Sequence, residues 1–310
     1  PLSLAELGGF TGVARLEMGS NCTGTVVDTG VDDGPAYILT NGHCTGDVGR
    51  PPQSVTIGED WFGQGFLLDT HDNPSPYAVN AEVLEYSTMR GRDVSIVRLK
   101  ESLGELKALG IRPIPIVDEE PAEDTSVRNI AAPVQDVDFE KWVLRGGDCT
   151  LTHQTDLIEF TWLWRGAWAN DCPGVRQGSS GSPLLTVGAD GGPEAIAAVI
   201  NTTTAGASPG NGGMCFLNRP CELADGGPVW AEDTSYGVSV AGIDLVPLET
   251  AWNEGRIPTD PSGQYDVWFA WNGSSTSGKM VGSGVYTVRL ALRRNVAAPD
   301  QAPRWEWTND

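Results

Sequence analysis

Histidine is scarce in this chain, with three among 310 residues: His43, His71 and His153. Any chemistry that needs an imidazole must use one of these positions. Basic side chains are in deficit too, 20 Lys and Arg against 41 Asp and Glu, for a net charge of −21. That balance argues against nucleic acid, whose phosphates need a basic footprint. It argues equally against anionic membrane surfaces. Its plainest consequence is solubility. No apolar run approaches the roughly 18–20 residues that cross a bilayer, so no membrane insertion is expected. No charged and apolar leader opens the chain, and the first residue is Pro1 rather than Met. A processed or trimmed form is therefore expected. No C-x-x-C pair occurs, and no histidines are spaced to complete a zinc site. No metal or cofactor is expected, except that acidic loops such as 31–34 and 118–124 could take a structural calcium ion.

What is present begins with six cysteines, at 22, 44, 149, 172, 215 and 221. An even number without metal-site spacing reads as three disulfides and an oxidising compartment. About 15 pairings are possible, and spacing alone does not choose among them. Short runs rich in Val, Ile, Thr, Tyr and Trp recur between turn signals, so the chain reads as all-β. Examples are 24–40, 93–99, 156–164, 182–187 and 195–202. The tips "VDDGPA" and "GADGGPE" carry Asp-Gly and Gly-Gly, which accept positive φ. Such spacing points to barrels or sandwiches rather than βαβ units. Residues 111–126, with alternating prolines followed by acids, read as a linker between 1–110 and 127–256. A helix is expected at 247–255, with Pro247 in its first turn and Gly255 at its stop. A β-rich extension, 257–310, follows. Trp268, Trp271, Tyr286 and Val288 alternate there in the manner of strands with one buried face.

Ser180 stands in "GSSGSPLL", a tight turn in which backbone N–H groups can converge on one oxygen. A serine nucleophile needs a base, and histidine is the usual one. His71 lies in a polar Pro/Asn loop and His153 at a strand edge. His43 differs, because the apolar run "AYILT" delivers it to "NGHC". No histidine follows residue 153, which excludes the chain order Ser, Asp, His for Ser180. The orders His, Asp, Ser and Asp, His, Ser remain. Asp93, at the head of "DVSIVRL", would be costly to bury without a partner such as His43.

The segments "LTNGHC", "RDVSIVRL" and "GSSGSPLL" together resemble the three signature segments of chymotrypsin/trypsin-like serine peptidases, in the bacterial Gly-x-Ser-Gly-Ser-Pro form. The resemblance covers roughly residues 9–254. It implies two six-stranded antiparallel β-barrels with the site between them. It implies Ser180 as nucleophile, His43 as base and Asp93 as its partner, with an oxyanion hole from the N–H groups of Gly178 and Ser180. It implies the pair Cys22–Cys44 beside the catalytic histidine. Cys149–Cys172 and Cys215–Cys221 are the expected remaining pairs. Gly174, Arg176, Gln177, Asn201, Thr202 and Gly237 are the expected pocket residues. The trypsin-type aspartate is replaced by Gly174, and the histidine of glutamate-cleaving relatives is missing from "AAVINTTT". An uncharged, medium-to-large P1 side chain is expected, with an acidic one, received by Arg176, as the alternative. Ser179 stands where cleavage-activated relatives carry an aspartate, and no Ile-Val-Gly-Gly opens the chain, so that activation mode is not expected. The expected protein is a monomeric bacterial endopeptidase, secreted or periplasmic, acting on proteins or peptides. The alternative is a binding or adhesive protein on the same scaffold.

Overall fold

The computed structural model describes residues 1–52, 54–208, 215–245 and Leu248, and the two short strands 292–294 and 305–307. Strand accounts for 47% and helix for 9%, so the fold is all-β as expected. The first sheet contains β1 (Val13–Glu17), β2 (Asn21–Val27), β3 (Pro35–Thr40), β4 (Val55–Asp60), β5 (Gln64–Leu67), β6 (Tyr77–Thr88) and β7 (Val94–Ser102). Pairing runs β6-β5-β1-β2-β3-β7, and β7 returns to β6, which closes a six-strand barrel with β4 added at the rim. Closure removes the open edges that a flat sheet would expose. The barrel encloses Leu16, Val26, Ile38, Leu67, Leu84 and Val97, all fully buried. A short helix, α1 (Leu4–Leu7), precedes it, and α2 (Leu103–Ala108) follows it. Ser102 caps α2, and Glu105 reaches back to the Ser102 N–H in a reciprocal capping box.

The second sheet holds β8 (Thr125–Ala131), β9 (Arg145–Glu159), β10 (Trp162–Asn170), β11 (Pro183–Val187), β12 (Pro193–Thr203), β13 (Cys221–Ala224), β14 (Gly227–Val229) and β15 (Ser235–Ser239). Its order, β10-β15-β12-β11-β8-β9 with β9 pairing back to β10, makes it ring-like, and the β13–β14 hairpin extends from β9. Leu39, Val94 and Ile96 of the barrel pack in one cluster with Ile130, Leu185 and Val199 of the second sheet. The proline-rich stretch between the sheets is hydrogen-bonded to both. Ile114 N–H donates to Val26 O at 2.9 Å, and Val117 N–H to Ile196 O at 3.1 Å. Prolines 113 and 115 lack an N–H, so the residues alternating with them carry the pairing.

The run 156–164 is not one strand. It is a hairpin that turns at Phe160, where φ is +55°. With no Gly, Pro, Asn or Asp at the turn, the apolar run conceals it. All three cysteine pairs form as expected: 22–44, 149–172 and 215–221. Among the described residues no helix is long and apolar enough to cross a membrane. The chain divides into two compact units, 1–264 and 265–310. Within the second unit, β16 (Leu292–Arg294) pairs antiparallel with β17 (Trp305–Trp307). Apart from Leu248, the expected helix at 247–255 lies outside the described residues, as do Trp268, Trp271, Tyr286 and Val288.

Candidate active site

The strand β3 ends at Thr40, and a single 3-10 turn, Gly42–Thr45, then carries His43. A side chain at Gly42 would sit 2.3 Å from Thr88 O, so only glycine lets the turn pack this closely. His43 Nδ1 lies 2.6 Å from Asp93 Oδ2, and the His43 backbone N–H donates to Asp93 Oδ1 at 3.0 Å. Asn41 Nδ2 donates to Asp93 O at 2.8 Å. Asp93 is fully buried, whereas the His43 side chain keeps 21% exposure. A carboxylate so enclosed requires partners, and the imidazole and its own N–H supply one to each oxygen. Burial by itself would lower the proton affinity of His43. The charge and hydrogen bond of Asp93, aided by the Glu159 carboxylate, outweigh it, and the net shift is upward.

Ser180 is half-buried in the turn between residue 170 and β11. Gly178 has φ +97° and Gly181 has φ +76°. A side chain on Gly181 would fall 2.0 Å from Thr40 Oγ1, and one on Gly178 2.6 Å from Ala132 O. The barrel strand β2 holds this turn through Thr23. Thr23 N–H donates to Ser180 O at 2.8 Å, and its hydroxyl donates to Gly178 O and accepts from Ala132 N–H, both at 2.9 Å. Gln177 O accepts from Val134 N–H at 2.9 Å. In a planar trans peptide the C=O and the next N–H point oppositely, so the Gly178 N–H is turned away from Val134. Among the described residues neither the Gly178 nor the Ser180 N–H meets an acceptor. Both donors are thus available for an oxygen that develops negative charge.

His43 and Ser180 border one cleft of about 570 Å³. Arg176, Gln177, Asn201 and Thr202 border it as well. Gly174 does not, and instead lines a neighbouring cavity with Lys141, Arg145 and Arg176. Gly237 faces inward from β15, where a side chain would meet Leu184 and Ala198. His153 pairs with Glu222, Nε2 to Oε2, at 3.1 Å. Sequence reasoning passed over Glu159, Trp162 and Trp164, which the β9–β10 hairpin brings to the cleft. Among the described residues one group of metal-ligand atoms lies close enough to share an ion, Cys22, His43 and Cys44, and its two sulfurs are joined to each other.

The trypsin-like peptidase domain family matches residues 22–196, more than half of the chain. The protein belongs to that family and is a serine endopeptidase. No curated protein matches it significantly. Among solved structures it is similar in fold to a Glu endopeptidase, at 16% identity and TM-score 0.49, over 79% of this chain and 92% of that one. The protease Anisep from Arthrobacter nicotinovorans shows 12% identity and TM-score 0.49, over 78% of this chain and 96% of that one. A thermostable serine protease, AL20, from an extremophilic microorganism shows 14% identity and TM-score 0.46, over 79% and 96% of the two chains.

Proposed function

We propose that this peptidase is a secreted bacterial enzyme that cuts internal peptide bonds through an acyl-enzyme formed on Ser180. His43 takes the Ser180 proton as the hydroxyl attacks the scissile carbonyl, then delivers it to the leaving amine. A water molecule, deprotonated by the same imidazole, then releases the acyl group. Asp93 holds the tautomer of His43 and stabilises the imidazolium. The N–H groups of Gly178 and Ser180 receive the oxyanion. The observation that carries this reading is the 2.6 Å contact between His43 Nδ1 and the buried Asp93, on a cleft that Ser180 shares.

Gln177, Asn201 and Thr202 are uncharged and border the cleft, which supports an uncharged, medium-to-large P1 side chain. Three disulfides support an oxidising, extracellular setting. The same reading divides the chain into a first barrel (1–110), a linking stretch (111–126), a second barrel (127–256) and an extension (257–310). A fluorophosphonate probe tests the assignment. It is expected to label the protein at Ser180, and Ser180→Ala or His43→Ala to abolish labelling. Stoichiometric labelling of the Ser180→Ala protein would remove Ser180 from the mechanism. Asp93→Asn is expected to fold and to lose about 10⁴ in turnover, the scale of that change in this family.

A further inference from the structure

The β9–β10 hairpin and β12, which β15 separates from β10 in the sheet, leave three polar groups at one cleft without partners among the described residues. Glu159 is 3% exposed. Its Oε1 accepts the Asn218 N–H at 2.7 Å. Its Oε2 meets no donor among the described residues. Trp162, 5% exposed, and Asn201, 6% exposed, border the same cleft. The indole N–H of Trp162 and the Nδ2 of Asn201 likewise meet no acceptor among the described residues. Native interiors rarely leave such groups unpaired, and one acceptor and two donors bordering a single cleft form a pattern that a ligand can complete.

The aromatic surroundings narrow the choice of ligand. The rings of Trp162 and Trp164 lie 6.0 Å apart and 6° from parallel, and both pack in one cluster with Met89. Tryptophan faces attract cations more strongly than other aromatic faces do. A carboxylate oxygen without a partner attracts them too, and more so where water is excluded. An apolar side chain placed here would leave Oε2 unpaired, and an acidic one would be repelled by Glu159. A guanidinium presents a planar fork of donors that matches a carboxylate, whereas an ammonium is a compact point charge. This wall comes from the hairpin, whereas Arg176 and Gln177 come from the loop before Ser180.

We infer that the corner of the cleft bounded by Glu159 and Trp162 is a subsite for a basic side chain of the substrate, arginine above lysine, at a position other than P1. Glu159 is the charge partner, and Trp162, buried between Trp164 and Phe160, forms the wall behind it. Asn201 Nδ2 and the Trp162 N–H donate to carbonyl oxygens of the same peptide. This inference rests on the peptidase reading. Its test therefore separates binding from turnover.

Fluorescein-labelled hexapeptides carrying arginine, lysine or the neutral isostere citrulline at each position in turn are titrated into the Ser180→Ala protein by fluorescence anisotropy. At one position the arginine peptide is expected to bind about tenfold or more tighter than its citrulline twin, the scale of one charge-assisted contact. Lysine is expected to fall between them. Adding Glu159→Gln is expected to bring the arginine and citrulline Kd values together. Equal Kd values at every position overturn the subsite, with no variant of Glu159 needed. A preference that survives Glu159→Gln also overturns it. Hydrolysis of the same peptides by the unaltered enzyme reads the peptidase function separately. Its absence would count against that function and leave the binding difference standing.

Discussion

At the scale of single residues, Thr23 is a barrel residue that holds the loop of the other sheet. Its hydroxyl is tied to both Gly178 O and Ala132 N–H at 2.9 Å, and its carbonyl accepts from Thr40 Oγ1 at 2.8 Å. Thr23→Val keeps the shape and removes the hydroxyl, leaving one buried acceptor and one buried donor unpaired. The Gly178 peptide then loses a restraint on its direction. We expect kcat on a chromogenic peptide to fall about tenfold or more with a smaller change in KM, and Thr23→Ser to restore it, since oxyanion donors act in the transition state. A change confined to KM would refute this role.

His43 and Glu159 are coupled at the same scale. In the proposed mechanism the rate requires a neutral His43, so it is expected to fall as pH drops through the pKa of that imidazole. Asp93 and Glu159 raise that pKa above the ordinary 6.5 against the opposing effect of burial. Glu159→Gln removes one negative charge, so the acid limb of kcat/KM is expected to move to lower pH. A limb that stays in place or moves upward would show that Glu159 does not act on His43.

At the scale of elements, the 3-10 turn Gly42–Thr45 is too short to hold itself in place. The bridge from Cys44 to Cys22 anchors it to β2 across a sequence separation of 22. A closed loop of that length is worth about 3 kcal/mol by restricting the unfolded chain. The Cys22→Ser, Cys44→Ser double variant is expected to melt about 5–10 °C lower. Its kcat should fall as well, because the turn positions His43, the proposed base. A calorimetric scan with an unchanged midpoint would show that β3 and Asp93 suffice to place the turn. The β9–β10 hairpin works differently, since it displays Glu159 and Trp162 on a tight turn braced by Met89 and by the Asn218 N–H.

For the whole molecule, charge and burial combine in a pH dependence of stability. Burial is the leading cause of the raised proton affinity of Asp47, Asp69, Glu85 and Glu159, and Asp47 moves from 3.8 to about 6. The folded state thus binds protons more tightly than the unfolded chain does. Where that holds, stability falls as pH rises, and for Asp47 the window runs from 3.8 to about 6. Glu6, Glu59, Asp72, Glu105 and Asp138 shift the other way through hydrogen bonds, but they are solvated and contribute little. The net charge of −21 adds repulsion that protonation relieves. The melting temperature is therefore expected to be higher near pH 5 than near pH 8. Asp47→Asn should stabilise the protein more at pH 8 than at pH 4. Melting that rises steadily from pH 5 to pH 8 would contradict both expectations.

The chemistry that depends on neighbours in sequence was legible before any fold was known. A glycine, a histidine and a cysteine after an apolar run mark a packed turn, and an aspartate heading a buried strand asks for a partner. Strand composition and turn chemistry were enough for an all-β chain with the tips at 31–36 and 188–194. Other features depend on which segments meet. Glu159 lay hidden in "DLIEFTWLW" because the turn at Phe160 uses a non-glycine residue at positive φ, which only the pairing of β9 with β10 over their length can impose. Thr23 reads as an ordinary strand residue, and its role exists only because the barrel lies against the loop of the second sheet. Gly174 and Gly237 lie close to pocket residues in sequence, but register turns Gly237 into the sheet and the course of the loop carries Gly174 to a different cavity. Local sequence determined which groups could react. Long-range pairing decided which of them face one another, because a side chain's direction in a sheet is set by its partners across the ladder as much as by its own identity.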